Sequence, residues 1–183
     1  MAANMKKGSG RWGFVVWSGA ACLLLLPLVA MQFTRDVNWT LLDFAVFGTM
    51  LLCACSAYEL GARMSHNTAY RAAVGVAIVA AFFLVWINLA VGIIGSEHDR
   101  ANLMFAGVLT VGIIGALIVR FQPRGMARVL VAMAITQALV GGIALAAFTA
   151  EPGVIAGLTG VFVALWLASA WLFARSASMT AAI

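Results

Sequence analysis

Six long apolar runs, at 12–31, 41–62, 72–95, 103–119, 129–150 and 154–174, occupy most of this chain and limit its fold more than any other feature. A helix needs about 20 mainly apolar residues to cross roughly 30 Å of hydrocarbon, so each run is sized for one crossing. The runs are continuously apolar instead of alternating, which argues against barrel strands. A helix also satisfies its own backbone N–H and C=O groups where water is absent. The sequence therefore predicts an all-α polytopic membrane bundle of six transmembrane helices, with 1–11 and 175–183 as tails. Composition agrees: 64% of the 183 residues are apolar and 9% are charged, whereas a soluble domain is about 25% charged.

The basic residues orient the spans, because Lys and Arg are retained on the cytoplasmic side of short loops. With a cytoplasmic N-terminus, Lys6, Lys7, Arg11, Arg63, Arg71, Arg120, Arg124, Arg128 and Arg175 fall inside, nine of the eleven. Arg35 and Arg100 fall outside. Both tails are thus expected in the cytoplasm. A net charge of +5 suits nucleic acid when it gathers on one folded face. Here the charges lie between apolar runs, so the expected surroundings are the lipid bilayer and no nucleic acid. Lys6, Lys7 and Arg11 before the first run imitate a signal peptide, but that run outlasts a signal core of about 7 to 15 residues and lacks a good cleavage pattern.

Small residues recur at intervals of four in the last two runs: Ala134, Ala138, Gly142, Ala146 and Ala150, then Ala156, Gly160, Ala164 and Ala168. In lipid, where apolar burial between helices gains little, such residues let backbones approach. With Glu151-Pro152-Gly153 as a tight connection, the two runs are expected to form a hairpin. Leucine at Gly142 or Gly160 should push it apart. A row spaced by four drifts about 40° per step on a helix of 3.6 residues per turn, so part of each row is expected to meet another neighbour. The string Val91-Gly92-Ile93-Ile94-Gly95 recurs at 111–115. An inverted three-plus-three repeat would instead match the first run to the fourth, so no duplication is inferred.

Polar groups inside the runs are costly and are the first functional candidates. They are Asp43 and Glu59 near the ends of the second run, Asn88 in the third and Gln137 near the middle of the fifth. For Asn88 and Gln137 an interhelical hydrogen bond is the simpler role; for Glu59 it is a cap or a link to Arg63, four residues on. The presumed outer side gathers Asp36, Asp43, Glu97, Asp99 and Glu151, five of the six acids, with His98. Hard oxygen ligands in such loops could hold a cation, although no ligand pattern fixes coordination and a solvated acidic rim is the plainer alternative. Asp36, Trp39, Asp43, Asn88, Glu97, His98 and Asp99 form the candidate region, with Trp39 as a headgroup anchor.

Several chemistries lack their residues. A retinal Schiff base needs a buried lysine, and the lysines are Lys6 and Lys7. Paired haem ligands or a Ser–His protease need histidine within the membrane, whereas His66 and His98 lie in loops. No phosphate-binding glycine loop and no HExxH pair occurs. Met50 and Cys53 share a helix face that Cys22 could approach as a soft metal site, but such residues also pack as ordinary apolar ones. No catalytic residue, cofactor or metal is assigned.

The stretch from Asn88 through Val91-Gly-Ile-Ile-Gly95 to Glu97, followed by Ala101-Asn-Leu-Met104, resembles small uncharacterised bacterial multi-pass inner-membrane proteins. The resemblance implies a bacterial inner membrane and no activity. The expected function is a non-catalytic structural or accessory subunit that packs against a second copy or a larger membrane-protein complex. The alternative is a small ion or solute transporter with Asp43, Glu59, Asn88 and Gln137 along its path.

Overall fold

The structure is a computed structural model that describes residues 7–34, 37–95, 99–147 and 152–181, with side chains described from 13 to 179 within those ranges. Six helices follow one another: α1 (Lys7–Phe33), α2 (Leu41–Met64), α3 (Thr68–Ala90), α4 (Met104–Ile118), α5 (Pro123–Ala147) and α6 (Pro152–Ala181). A 3-10 turn at Arg100–Leu103 leads into α4. All six are long and apolar enough to span a membrane when that turn is joined to α4. The expected helical membrane bundle is therefore observed. The chain forms two compact units, Met1–Leu60 and Gly61–Ile183, which are described separately.

Helix boundaries follow from local chemistry. Thr40 and Asp43 make a reciprocal cap for α2. The Thr40 N–H and hydroxyl both donate to Asp43 Oδ2, at 2.7 and 2.8 Å, while the Asp43 N–H reaches Thr40 Oγ1 at 3.4 Å. This capping box satisfies donors that the first turn cannot pair. Asn67 caps α3 by accepting from the N–H groups of Ala69 and Tyr70. Pro123 and Pro152 open α5 and α6, where a missing N–H costs nothing and a fixed φ suits the helix. Hence Pro123 and Gly125 belong to the first turn of α5. In the first unit, Trp17 Nε1 donates to Glu59 Oε2 at 3.4 Å, and Leu24 lies beside Gly48.

In the second unit α6 packs against both α3 and α5, and α4 packs against α5. The α5–α6 seam is tightest at Gly141, near the connected ends, where the missing side chain leaves room for Thr159; a Cβ there would collide with the threonine. Around it Ala134, Gln137, Val140 and Ala144 of α5 are buried, as are Ile155, Phe162, Trp166 and Phe173 of α6. The α6–α3 contact adds a hydrogen bond from Ser169 Oγ to the Ala73 carbonyl at 2.8 Å. At the turn between α4 and α5, Arg120 and Phe121 take φ of 50° and 58°, a conformation that costs a non-glycine residue about 1–2 kcal/mol. Tyr70 stabilises this turn by donating its hydroxyl to the Phe121 carbonyl at 3.1 Å.

The hairpin forms, but not through the four-spaced rows. Ala138, Gly142 and Ala146 are exposed, as are Ala156, Gly160, Ala164 and Ala168. A Cβ added at Gly142 or Gly160 would meet nothing within 4 Å. The buried stripe on α5 runs 134, 137, 141, 144, steps of three and four that average near the helical repeat, while steps of four alone rotate away from the neighbour. Gly141→Leu should therefore lower thermal stability in detergent by about 1–3 kcal/mol through overpacking, whereas Gly142→Leu should stay within about 0.5 kcal/mol of the parent. Equal melting temperatures for the two variants would contradict this assignment of the seam.

Candidate functional site

The connection between α3 and α4 is the most elaborately built polar feature of the second unit. After Ala90 the chain leaves the helix: the N–H groups of Val91 and Gly92 both reach back to the Ile87 carbonyl, at 3.0 and 2.9 Å. Gly92 has φ 79°, which an L side chain would resist. Ile93 and Ile94 then turn inward, 4% and 0% exposed, and their burial removes the loop backbone from water. Such groups need partners, and Asn102 supplies them. Its Oδ1 accepts from the N–H groups of Ile93 and Ile94, each at 2.9 Å, while its Nδ2 donates to the Ile94 carbonyl at 3.1 Å. Asp99 begins the 3-10 turn by accepting from the Ala101 N–H at 2.9 Å, and this fixes Asn102 on the first turns toward α4.

Beside this closed loop lies a cleft of about 330 Å³ between α3 and α4. Leu84, Val85, Phe105 and Ala106 contribute its apolar walls, and Asn88, Asp99, Arg100 and Asn102 its polar groups. Asn88 Nδ2 donates to the Leu84 carbonyl within its own helix at 2.7 Å, while Asn88 Oδ1 is buried without a partner. Because α3 stops at Ala90, Asn88 lies about 3 Å from the helix end at ~1.5 Å per residue. Measured to the end of the apolar run at Gly95, seven residues on, the same residue would be about 10 Å deep.

The candidate residues thus divide. Asn88 and Asp99 share the cleft. Trp39 and Asp43 belong to the first unit, where Trp39 packs edge-on against Phe44 and Phe47 and the Asp43 carboxylate serves the cap of α2. Glu59 accepts from Trp17. Asp36, Glu97 and His98 lie outside the described residues. Gln137 is fully buried on α5, yet neither of its amide atoms has a hydrogen-bond partner; Asn88 instead bonds within its own helix. Ser169, rather than Asn88 or Gln137, makes a hydrogen bond between α6 and α3. Among the described residues no group of three or more His, Cys, Asp or Glu side chains is placed to hold a metal.

Asn102 went unremarked as a functional residue because it stands just before an apolar run and reads as loop. Its signal is a side chain able both to accept and to donate, seven residues after Gly95 of a stretch whose glycines permit a tight turn. The cleft offers an amide acceptor, a carboxylate and a guanidinium above an apolar wall. That set can hold a polar group by hydrogen bonds but supplies no recognisable nucleophile with its base. No protein-family model, curated protein or solved structure matches this chain.

Asn102→Ala would strand two buried N–H groups and one carbonyl, with a cost of about 1–3 kcal/mol for each unsatisfied group before relaxation. The expected results are a lower melting temperature in detergent and faster amide exchange in the peptide covering 91–95. Asn102→Asp keeps the acceptor but loses the donor, so it should fall between alanine and the parent. Exchange at 91–95 unchanged in Asn102→Ala would show that the side chain does not hold the loop.

Proposed function

We propose that this chain is a non-catalytic structural or accessory subunit of a membrane assembly, in a bacterial inner membrane with both ends in the cytoplasm. The observation that carries this reading is how its membrane polar groups are used. Asn102 binds the backbone of 93 and 94, Asn88 that of Leu84, Ser169 that of Ala73 and Tyr70 that of Phe121. Side chains committed to the chain's own backbone set architecture and are not free for turnover. A second support is α1, of whose span Gly13–Phe33 no residue is buried. Its outward residues, among them Phe14, Val15, Leu25 and Leu26, form a helix face available to a partner, either a second copy or another membrane protein.

A photoreactive residue in place of Leu25 tests this in native membranes. The expected product is a protein adduct of discrete mass, twice the chain mass for a homo-oligomer and another value for a larger complex. Leu139 of α5, also exposed, is the comparison site and is expected to yield lipid adducts. Lipid adducts alone from both positions would defeat the accessory-subunit reading.

A solute transporter is the second reading, favoured by one observation. Gln137, Thr159 and Trp166, all on the α5–α6 hairpin, keep buried polar atoms without partners. Groups of this kind far from water are expensive unless something visits them. Gln137→Cys distinguishes the readings. A small charged thiol reagent should leave it unmodified in an accessory subunit, whereas rapid modification would mean that water reaches mid-span and would favour transport.

A further inference from the structure

The ends of α5 and α6 opposite to their shared connection have a distinct chemistry. Between them runs a groove of about 410 Å³, with Ala127, Val131, Ala170 and Ala174 in its lining and Arg128 and Trp171 beside them. Trp171 is 59% exposed. The Arg175 guanidinium lies over its ring, 5.4 Å from the centroid, and Arg175 also lines the neighbouring cleft with His66 and Asn67. Arg128 stands one residue before the apolar run 129–150, and Arg175 one residue after 154–174. Both are therefore at the level where a membrane helix meets lipid headgroups, the depth that tryptophan also favours. Helices α3, α5 and α6 contain no Asp or Glu, so neither arginine has a carboxylate on these elements to neutralise it.

We propose that this groove binds an anionic phospholipid, with the headgroup phosphate between Arg128 and Arg175 and an acyl chain along the alanine-lined floor. Charge complementarity selects the headgroup. Arginine can donate two parallel N–H bonds to phosphate oxygens, and the Arg175 guanidinium is placed beside the groove over the Trp171 ring. The small side chains select the tail: alanines at 127, 170 and 174 leave a channel where larger residues would fill the space between the helices. A soluble anion would use the arginines but gain nothing from the channel. This distinguishes a lipid from free phosphate.

The test uses the full-length protein, delipidated in mild detergent and titrated with phosphatidylglycerol or cardiolipin, with phosphatidylethanolamine of the same acyl chains as comparison. Retained lipid is read by native mass spectrometry and stabilisation by thermal unfolding. The anionic lipids should be retained in preference to the zwitterionic one, and inorganic phosphate alone should give no stabilisation. Arg128→Gln and Arg175→Gln should each weaken retention about fivefold, the effect of one basic residue at an anionic surface. Arg124→Gln, exposed and outside the groove, should leave retention within twofold. Ala174→Phe, on the exposed floor, should reduce retention with both arginines intact, and it keeps the test decisive if an arginine variant does not fold. Equal retention of phosphatidylethanolamine, an equal loss in Arg124→Gln, stabilisation by phosphate alone, or full retention in Ala174→Phe would each overturn the site.

Discussion

The close approach of α5 and α6 at Gly141 and Thr159 is the contact on which the second unit depends. α3 joins the unit chiefly through α6, and α4 through α5, so the hairpin is the shared wall for both. Dispersion must supply most of its energy, since lipid tails are as apolar as the leucines they would replace. That force falls off steeply with separation, which is why the absence of one Cβ matters more here than total apolar area. The same economy recurs between α4 and α5. A Cβ at Gly112 would lie 2.7 Å from Met133 Sδ, and one at Gly115 would lie 2.7 Å from Val129 Cγ1.

Crossings were legible in the sequence because they depend on length and apolarity, properties each segment carries alone. Seams were harder, since they depend on angle. The four-spaced rows in α5 and α6 looked like an interface but rotate off it, while Gly141, one position from the predicted Gly142, occupies it. The repeated string shows how little a short motif fixes by itself. At 91–95 its glycines take positive φ and its isoleucines are buried. At 111–115 it is helical, its glycines face α5, and Ile113 and Ile114 are 63% and 52% exposed. What differs is context: the first copy precedes Asp99 and Asn102, which supply partners for an unwound backbone.

The candidate site was legible only in part for a related reason. Scarce polar residues in apolar surroundings attract a functional reading, yet their first obligation in a membrane is to unpaired backbone. Thr40 and Asp43 carry the spacing of a capping box before an apolar run, a signal present in the sequence, and the carboxylate is used there. Asn88 and Asp99 do come together at one cleft. Asn102, which builds that cleft, was hidden because its role depends on where the chain returns nine residues away, at Ile93.

These obligations separate the two ends of the second unit. At the α3–α4 connection Asn102 is buried and bonds the backbone of 93 and 94, while Asp99 caps the following turn. At the opposite end Asn67 caps α3 and Tyr70 bonds the Phe121 carbonyl. Arg71, Arg124, Arg128 and Arg175, none of which is buried, therefore lie at an end whose internal bonds are already made by other residues. Guanidinium groups are poor partners for backbone N–H because they accept nothing, so an arginine-rich end cannot be explained by the accounting that explains the asparagine-rich one. Helices α3, α5 and α6 carry no acid to answer that charge. An anionic membrane surface, within a Debye length of the span ends, would supply that counter-charge, which is the premise of the proposed lipid site.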